Sequence, residues 1–356
     1  MTDTFNLSIS KVKTSRVSQV DFSKVNFGKE YADHMFVADF RDGNWQQFSI
    51  EPYAPLTFLP GLAILHYGQS VFEGLKAYKD QNNDVLVFRP EMNFNRLNVS
   101  AERMCIPQIP EEIFFNGMNE LLRIDKDWVP TLPGTSLYIR PYIFAMDEYI
   151  GIRPSDTYKF IIFTCPVGAY YSKPLKVKIE TYYSRAVHGG TGYAKAAGNY
   201  AGSLYPARLA QKEGYDQLIW TDGATHSNVE EAGTMNLMFV INNTIITAAT
   251  NDTVLKGVTR ESVLTLAREW GMKVEERNIP VKEIVSALRN GIMTEAFGTG
   301  TAATIAPIEV IAYDGTDYTI PATNGNSFSS RILNELNDIR SGRKPDTHGW
   351  MYKVPV

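Results

Sequence analysis

Strand-like and helix-like segments follow one another in this chain without the regular alternation that a doubly wound parallel sheet requires. Leu137–Phe144 and Lys159–Cys165 are rich in β-branched and aromatic side chains and read as strands. Glu111–Asp125 instead spaces Ile113, Met118, Leu121 and Leu122 at helical intervals. Leu175, Val177 and Ile179 alternate as a strand. Asn199–Lys212 reads as a helix ended by Gly214, and Gln217–Thr221 as a short strand. Asn236–Val240 and Thr244–Ala248 pattern as a hairpin around Asn242-Asn243, a pair that tolerates left-handed turn geometry. Helical patterns return at Arg260–Trp270, at Lys282–Arg289 and around Ile332, Leu336 and Ile339. This mixture predicts an α+β fold.

At 356 residues the chain can build two cores. Pro166–Pro174 carries two prolines and Gly168 and reads as the link between them. The expected division is a smaller domain over 1–168, a connection over 169–181 and a larger domain over 182–356. A net charge of −4 with no long basic run argues against a nucleic-acid partner. No apolar run reaches the roughly 18 residues of a membrane span, and the polar start, which includes Asp3, is unlike a signal peptide. Cys105 and Cys165 lie in apolar surroundings and read as buried free thiols of a reducing, cytoplasmic setting. No His/Cys cluster has metal-ligand spacing, so no metal is expected.

One lysine stands out. Lys195 is flanked by Ala194, Ala196 and Ala197, with Gly189, Gly190, Gly192, Gly198 and Gly202 nearby. A lysine walled by small residues is poorly hydrated, which frees its amine to attack carbonyls. That is what a Schiff-base lysine needs. The same segment, taken alone, also fits a flexible Gly-rich loop with an ordinary surface lysine.

Pyridoxal phosphate would further need an acidic partner for its ring nitrogen, donors for its phosphate and a group for its ring oxygen. Gly257–Ser262 opens a helix, whose free N–H groups attract phosphate. Gly298–Ala302 is a second Gly/Thr loop suited to an anion. Glu230 and Glu231 precede an apolar strand, where a carboxylate could keep the ring nitrogen protonated. The Arg89–Leu97 stretch supplies candidate guanidinium groups. Each piece has a plain structural explanation alone: an N-cap by Thr259, a turn, solvated edge charges, surface arginines.

Taken in this order, the pieces resemble the branched-chain amino-acid aminotransferases, class IV enzymes of fold type IV that use pyridoxal phosphate. The resemblance runs from about Phe27 to Met351. It includes Phe27-Gly28 with Asp33-His34-Met35, the run His66–Tyr78, Leu137–Pro141 and Cys165–Tyr170. It implies a smaller N-terminal and a larger C-terminal domain with the site between them. It also implies reversible amino transfer between Leu, Ile or Val and 2-oxoglutarate, in a cytoplasmic homodimer.

Residue by residue, the resemblance makes Lys195 the Schiff-base lysine and Tyr200 the partner of the ring oxygen. The Glu-x-Gly-x-x-Asn pattern selects Glu231 as the ring-nitrogen carboxylate, with Thr234 on the same side. Arg96, the N–H groups of Val258 and Thr259, and Thr299 hold the phosphate. Thr301 and Ala302 match the loop for the substrate α-carboxylate. Tyr67, Phe72, Tyr138, Ile152, Tyr170 and Met235 match the apolar side-chain pocket, and Arg140 with Tyr138 addresses the side-chain carboxylate of glutamate. Two departures stand out. Ala303 and Ala306 occupy the positions of a redox-active Cys-x-x-Cys found in mammalian members, so no thiol switch is expected. Met238 replaces the usual Phe or Tyr, a packing change. The neighbouring alternatives, a D-amino-acid aminotransferase and an aminodeoxychorismate lyase, resemble shorter chains without the extended N-terminal region. A non-catalytic pyridoxal-phosphate-binding relative would not need the full set Lys195, Tyr200, Glu231 and Arg96.

Overall fold

A computed structural model describes residues 5–168, 170–171 and 173–355. Ala169 and Ser172, in the expected 169–181 connection, lie outside the described residues, as does Asp3. The chain forms two compact units. The first is made by the chain through Tyr170, by Ala194–Gly198 and by the tail from Asn337 onward. The second is made by Tyr171–Tyr193 and Asn199–Leu336. The division is therefore not a single cut. Backbone pairing explains the small inserted piece: Ala196 forms an isolated bridge with Val71, which draws the Lys195 segment into the first unit.

The first unit is built on one sheet. Its strands run in the order Ser8–Ile9, Asn44–Pro52, His34–Arg41, Tyr158–Val167, Ser136–Ala145, Leu75–Lys79, Val85–Phe88 and Met351–Lys353, with Ser70–Phe72 also paired to Ser136–Ala145. All these pairs are antiparallel except that of Ser8–Ile9. Two helices, Pro90–Arg103 and Glu111–Ile124, supply side chains to its core. Phe114, Met118, Leu121 and Leu122 recur at three- and four-residue spacing and are fully buried in a cluster with Phe36, Ile50 and Phe160. Each such side chain contributes about 1.5–3 kcal/mol through burial. Strands read as Leu137–Phe144 and Lys159–Cys165 extend to Ser136–Ala145 and Tyr158–Val167.

The second unit holds the other sheet, in the order Lys273–Glu276, Thr244–Thr247, Met235–Ile241, Met293–Gly300, Thr304–Tyr313, Leu175–Ile179, Gln217–Thr221, Asn228–Ala232 and Ile279–Pro280. Asn228–Ala232 also pairs with Met235–Ile241. The strands from Met235–Ile241 round to Asn228–Ala232 thus close into a ring. The hairpin joining Met235–Ile241 to Thr244–Thr247 turns at Asn242 and Asn243, at φ of 47° and 58°. Both are left-handed, as that two-residue turn demands. Helices Val258–Glu269 and Val281–Arg289 belong to this unit.

Three expectations need correction. Leu175–Ile179, placed inside the 169–181 connection, is a full member of the second sheet. Gly298–Gly300 is not a loop: it continues the Met293–Gly300 strand, because its backbone pairs with both Met235–Ile241 and Thr304–Tyr313. Cys105 is exposed rather than buried, at a positive φ of 55° past the end of a helix. Cys165 is buried as expected, and burial pushes its thiol up to about 11. Among the described residues, no helix is long and apolar enough to cross a membrane.

Candidate active site

The expected site residues fall into two sets, one on each unit. Lys195 leads the first. Its backbone is held on both sides: its N–H donates to Ser100 Oγ at 2.9 Å, and its carbonyl accepts the Phe72 N–H at 3.1 Å. Ala194 and Ala196 are buried, whereas Lys195 itself is half-buried. Its Nζ lies 4.7 Å from the centre of the Phe72 ring. On the same ring, also at 4.7 Å, lies the Arg140 guanidinium. Arg140 further stacks on Tyr138 at 5.3 Å and donates to the Tyr138 hydroxyl at 3.1 Å. That hydroxyl depends on Gly74: a Cβ there would sit 2.0 Å from it. The aromatic rings thus hold a cation beside an apolar wall, by the attraction of a ring face for positive charge.

Arg96 sits on the Pro90–Arg103 helix and engages Glu73 through two hydrogen bonds. Its Nε donates to Oε1 at 2.6 Å and its Nη2 to Oε2 at 2.9 Å. Glu73 is 0% exposed. It also accepts from Asn93 Nδ2 at 2.7 Å and from the Gly74 N–H at 3.1 Å. Burial pushes the Glu73 carboxyl up. The charge and hydrogen bonds of Arg96, the charge of Lys195 and the Asn93 bond outweigh it and hold the carboxyl below the ordinary carboxylate range.

Three members of the expected pocket are exposed in the single chain. Ile152 is 96% exposed, and Tyr67 and Tyr170 are exposed as well. Ile152 lies in an irregular stretch between two strands, where no element among the described residues covers it. Tyr170 does keep an edge contact with Phe27, at 5.0 Å between ring centres.

The second set is organised by strand register. Glu231 lies opposite Asn236, and Asn236 opposite Thr299, on three successive strands of the ring. Residues directly opposite share a face of the sheet. Asn236 Nδ2 donates to Glu231 Oε1 at 3.1 Å and to the Leu255 carbonyl at 2.8 Å, and the Leu255 N–H returns a bond to Glu231 Oε1 at 2.9 Å. One asparagine therefore ties the carboxylate to the chain leading into the Val258–Glu269 helix. Gly257 stands just before that helix, and a Cβ there would sit 1.9 Å from Asn236 Oδ1. The helix begins at Val258 with no side-chain cap, so Thr259 is a buried residue of the first turn and not the cap. An uncapped helix start presents N–H groups and a positive dipole end.

Thr299 is 2% exposed, and its hydroxyl finds no hydrogen-bond partner among the described residues. Arg185 Nε lies 3.0 Å from Glu231 Oε2. The pair is close enough for charge attraction, although the N–H is not directed at the oxygen. Arg185 also donates to the carbonyl of Thr253, whose hydroxyl bonds Glu230. Burial, against that bond and the Arg185 charge, holds Glu230 above the ordinary carboxylate range. Thr301 and Ala302 form the half-buried turn after the Met293–Gly300 strand, Met235 is buried, and Thr234 is exposed in the turn before it. Tyr200 is half-buried on the Ala197–Lys212 helix. The donor set fits a phosphorylated ring: a buried orphan hydroxyl and an uncapped helix for an anion, and an ionic carboxylate in the same row for a ring N–H.

Residues 70–311 match the amino-transferase class IV family. Over 350 residues the chain is 43% identical to branched-chain-amino-acid aminotransferase 2 of Bacillus subtilis (strain 168), which spans 97% of this chain and 96% of that protein. This chain belongs to the branched-chain aminotransferases of class IV. Its mixed fold is fold type IV. The branched-chain aminotransferase of Thermoproteus uzoniensis, solved with norvaline, superimposes with a TM-score of 0.75 at 25% identity, covering 90% of this chain and 100% of that one. The T.th. branched-chain aminotransferase, complexed with N-(5'-phosphopyridoxyl)-L-glutamate, shares the fold with a TM-score of 0.73 at 24% identity, covering 90% and 98%.

Sequence reasoning about this class IV aminotransferase missed Glu73, Ser100 and Arg185. Glu73 lies within the run His66–Tyr78, yet nothing local signals that its partner is Arg96. Ser100 reads as an ordinary helix residue. An arginine ten positions before the lysine was a visible signal that went unused.

Proposed function

We propose that the protein is a pyridoxal-phosphate-dependent transaminase that moves the amino group between leucine, isoleucine or valine and 2-oxoglutarate. The observation that carries this reading is the 43% identity to a branched-chain aminotransferase along nearly the whole chain. The donor set described above supports the cofactor. Arg96, Thr299 and the N–H groups of Val258 and Thr259 would hold the phosphate, Tyr200 the ring oxygen, and Glu231 the ring nitrogen, with Thr234 beside it. When bound, the cofactor supplies a conjugated ring that takes up the electron pair of the substrate α-carbon.

The chain's own residues do the rest. Lys195 Nζ would link the cofactor to the protein and, once displaced by the substrate amine, would move the proton from the substrate α-carbon to the cofactor's aldehyde carbon. A positioned acid/base of this kind typically contributes about 10²–10⁴-fold. Glu231, paired with Arg185, offers a fixed negative charge to the ring N–H. Thr301 and Ala302 receive the substrate carboxylate. Phe72, Tyr138 and Met235 offer apolar surface to a branched side chain, joined by Tyr67, Tyr170 and Ile152. Arg140, resting on two rings, would pair with the side-chain carboxylate of glutamate without obstructing leucine.

The exposure of Ile152, Tyr67 and Tyr170 supports a homodimer in which a second copy covers them, and the cytoplasm is the proposed location. Transamination of a panel of L-amino acids with 2-oxoglutarate, followed by absorbance, tests the reading. Turnover confined to other amino acids, or none at all in protein that carries the cofactor, would overturn it. Native mass determination tests the dimer.

A further inference from the structure

Glu73 is a fully buried carboxylate that the transamination chemistry above does not use. A buried charge is tolerated when it is paired and hydrogen-bonded. Glu73 meets that condition through Arg96 Nε and Nη2, Asn93 Nδ2 and the Gly74 N–H. The bidentate engagement fixes the guanidinium plane as well as its charge. Glu73 also lies in a circuit of short bonds. It follows Phe72, whose N–H holds the Lys195 carbonyl at 3.1 Å. The Lys195 N–H donates to Ser100 Oγ at 2.9 Å, and Ser100 Oγ donates to the Arg96 carbonyl at 2.9 Å. From Arg96 the side chain returns to Glu73. Two residues assigned to opposite ends of the cofactor are thereby locked to one carboxylate and one hydroxyl.

We propose that Glu73 is a positioning residue of this enzyme: it orients Arg96 toward the cofactor phosphate. This rests on the reading of Arg96 as the phosphate arginine and Lys195 as the cofactor lysine. A purely structural ion pair would affect folding alone. A positioning residue affects phosphate-dependent affinity.

The test uses the full chain stripped of cofactor and then reloaded. Glu73→Gln keeps the shape and removes the charge. The apo protein is titrated with pyridoxal phosphate and, separately, with pyridoxal, which has no phosphate. Partners that orient a first ligand contribute about 10–100-fold in affinity at metal sites, and a similar loss is expected here for pyridoxal phosphate, with little change for pyridoxal. In an Arg96→Gln background the same substitution should add almost nothing. Should Glu73→Gln fail to fold, Glu73→Asp keeps the charge and shortens the reach. It should still weaken binding of pyridoxal phosphate more than binding of pyridoxal. Wild-type affinity for pyridoxal phosphate in a folded Glu73 variant would overturn the proposal, provided Arg96→Gln alone weakens pyridoxal phosphate binding. An Arg96→Gln variant with full affinity would instead overturn the assignment of Arg96.

Discussion

Thr299→Val separates what the site needs from what the fold needs. The substitution removes one hydroxyl, keeps a β-branched side chain and sits inside a strand, where such residues pack well. The hydroxyl is buried and has no partner among the described residues. An unsatisfied buried polar group costs about 1–3 kcal/mol. In the apo protein the change should therefore be neutral or stabilising, with Tm rising by roughly 2–4 °C for each kcal/mol gained in a domain of this size. In the loaded protein the sign reverses. A hydroxyl that donates to a phosphate oxygen contributes about 1.5–3 kcal/mol, which corresponds to roughly 10- to 150-fold in Kd. Calorimetry of the apo form and fluorescence titration with pyridoxal phosphate measure the two quantities independently. A variant whose apo form melts several degrees lower while binding the cofactor as tightly as wild type would refute the argument. Thr299 would then be a residue of the fold and not of the phosphate site.

Three further outcomes are expected. Lys195→Ala should abolish turnover and the visible absorbance of the bound cofactor, and a retained band would point to a different lysine. Arg140→Ala should impair the 2-oxoglutarate half-reaction by the roughly 2–5 kcal/mol that an unpaired buried charge typically costs, while the leucine half-reaction changes only a few-fold; equal losses in single-turnover assays would remove its role. Lys76, buried beside Arg340, has its ammonium pushed down to about 7, first by burial and then by that neighbouring charge. The unfolded chain keeps Lys76 protonated up to about 10.4. Between those values it binds more protons than the native state, so wild-type stability rises with pH there, at about 1.4 kcal/mol per unit at most. Lys76→Met should thus be more stable than wild type near pH 7, with the gap narrowing by pH 10; a constant difference in denaturant midpoint would count against this.

What could be read from the sequence was the local part. The Asn242-Asn243 turn, the apolar stripe of Glu111–Ile124 and the strands around Ile139 and Ile162 each carry their signal within a few residues. So does the row through Glu231, because Asn236 lies only five positions away. What stayed hidden depends on pairing across long stretches of chain. Met351–Lys353 joins the first sheet beside Val85–Phe88, and Asn228–Ala232 closes the ring by a second pairing; no periodicity announces either. The Lys195 segment bonds to Ser100, 95 positions away, and that placed it in the first unit instead of the larger C-terminal domain expected for it. Glu73 and Arg96 are 23 positions apart, joined only because a strand and a helix meet. Ile152, which the resemblance places in the pocket, stands in the open in its own chain.

The closed ring of strands has a consequence for how the apo protein waits. Sheet edges are where native structure opens most readily, and opening is what lets backbone amides exchange with solvent. Strands paired on both sides have no such edge. The amides of Glu231, Asn236 and Thr299 should therefore exchange slowly with or without cofactor, while the turn at Thr301–Ala303 exchanges faster. A carboxylate and a hydroxyl kept at a set spacing by paired strands are ready before the ligand arrives. Binding then costs little ordering in this half of the site, and the cofactor can leave and return without any of the barrel having to reform.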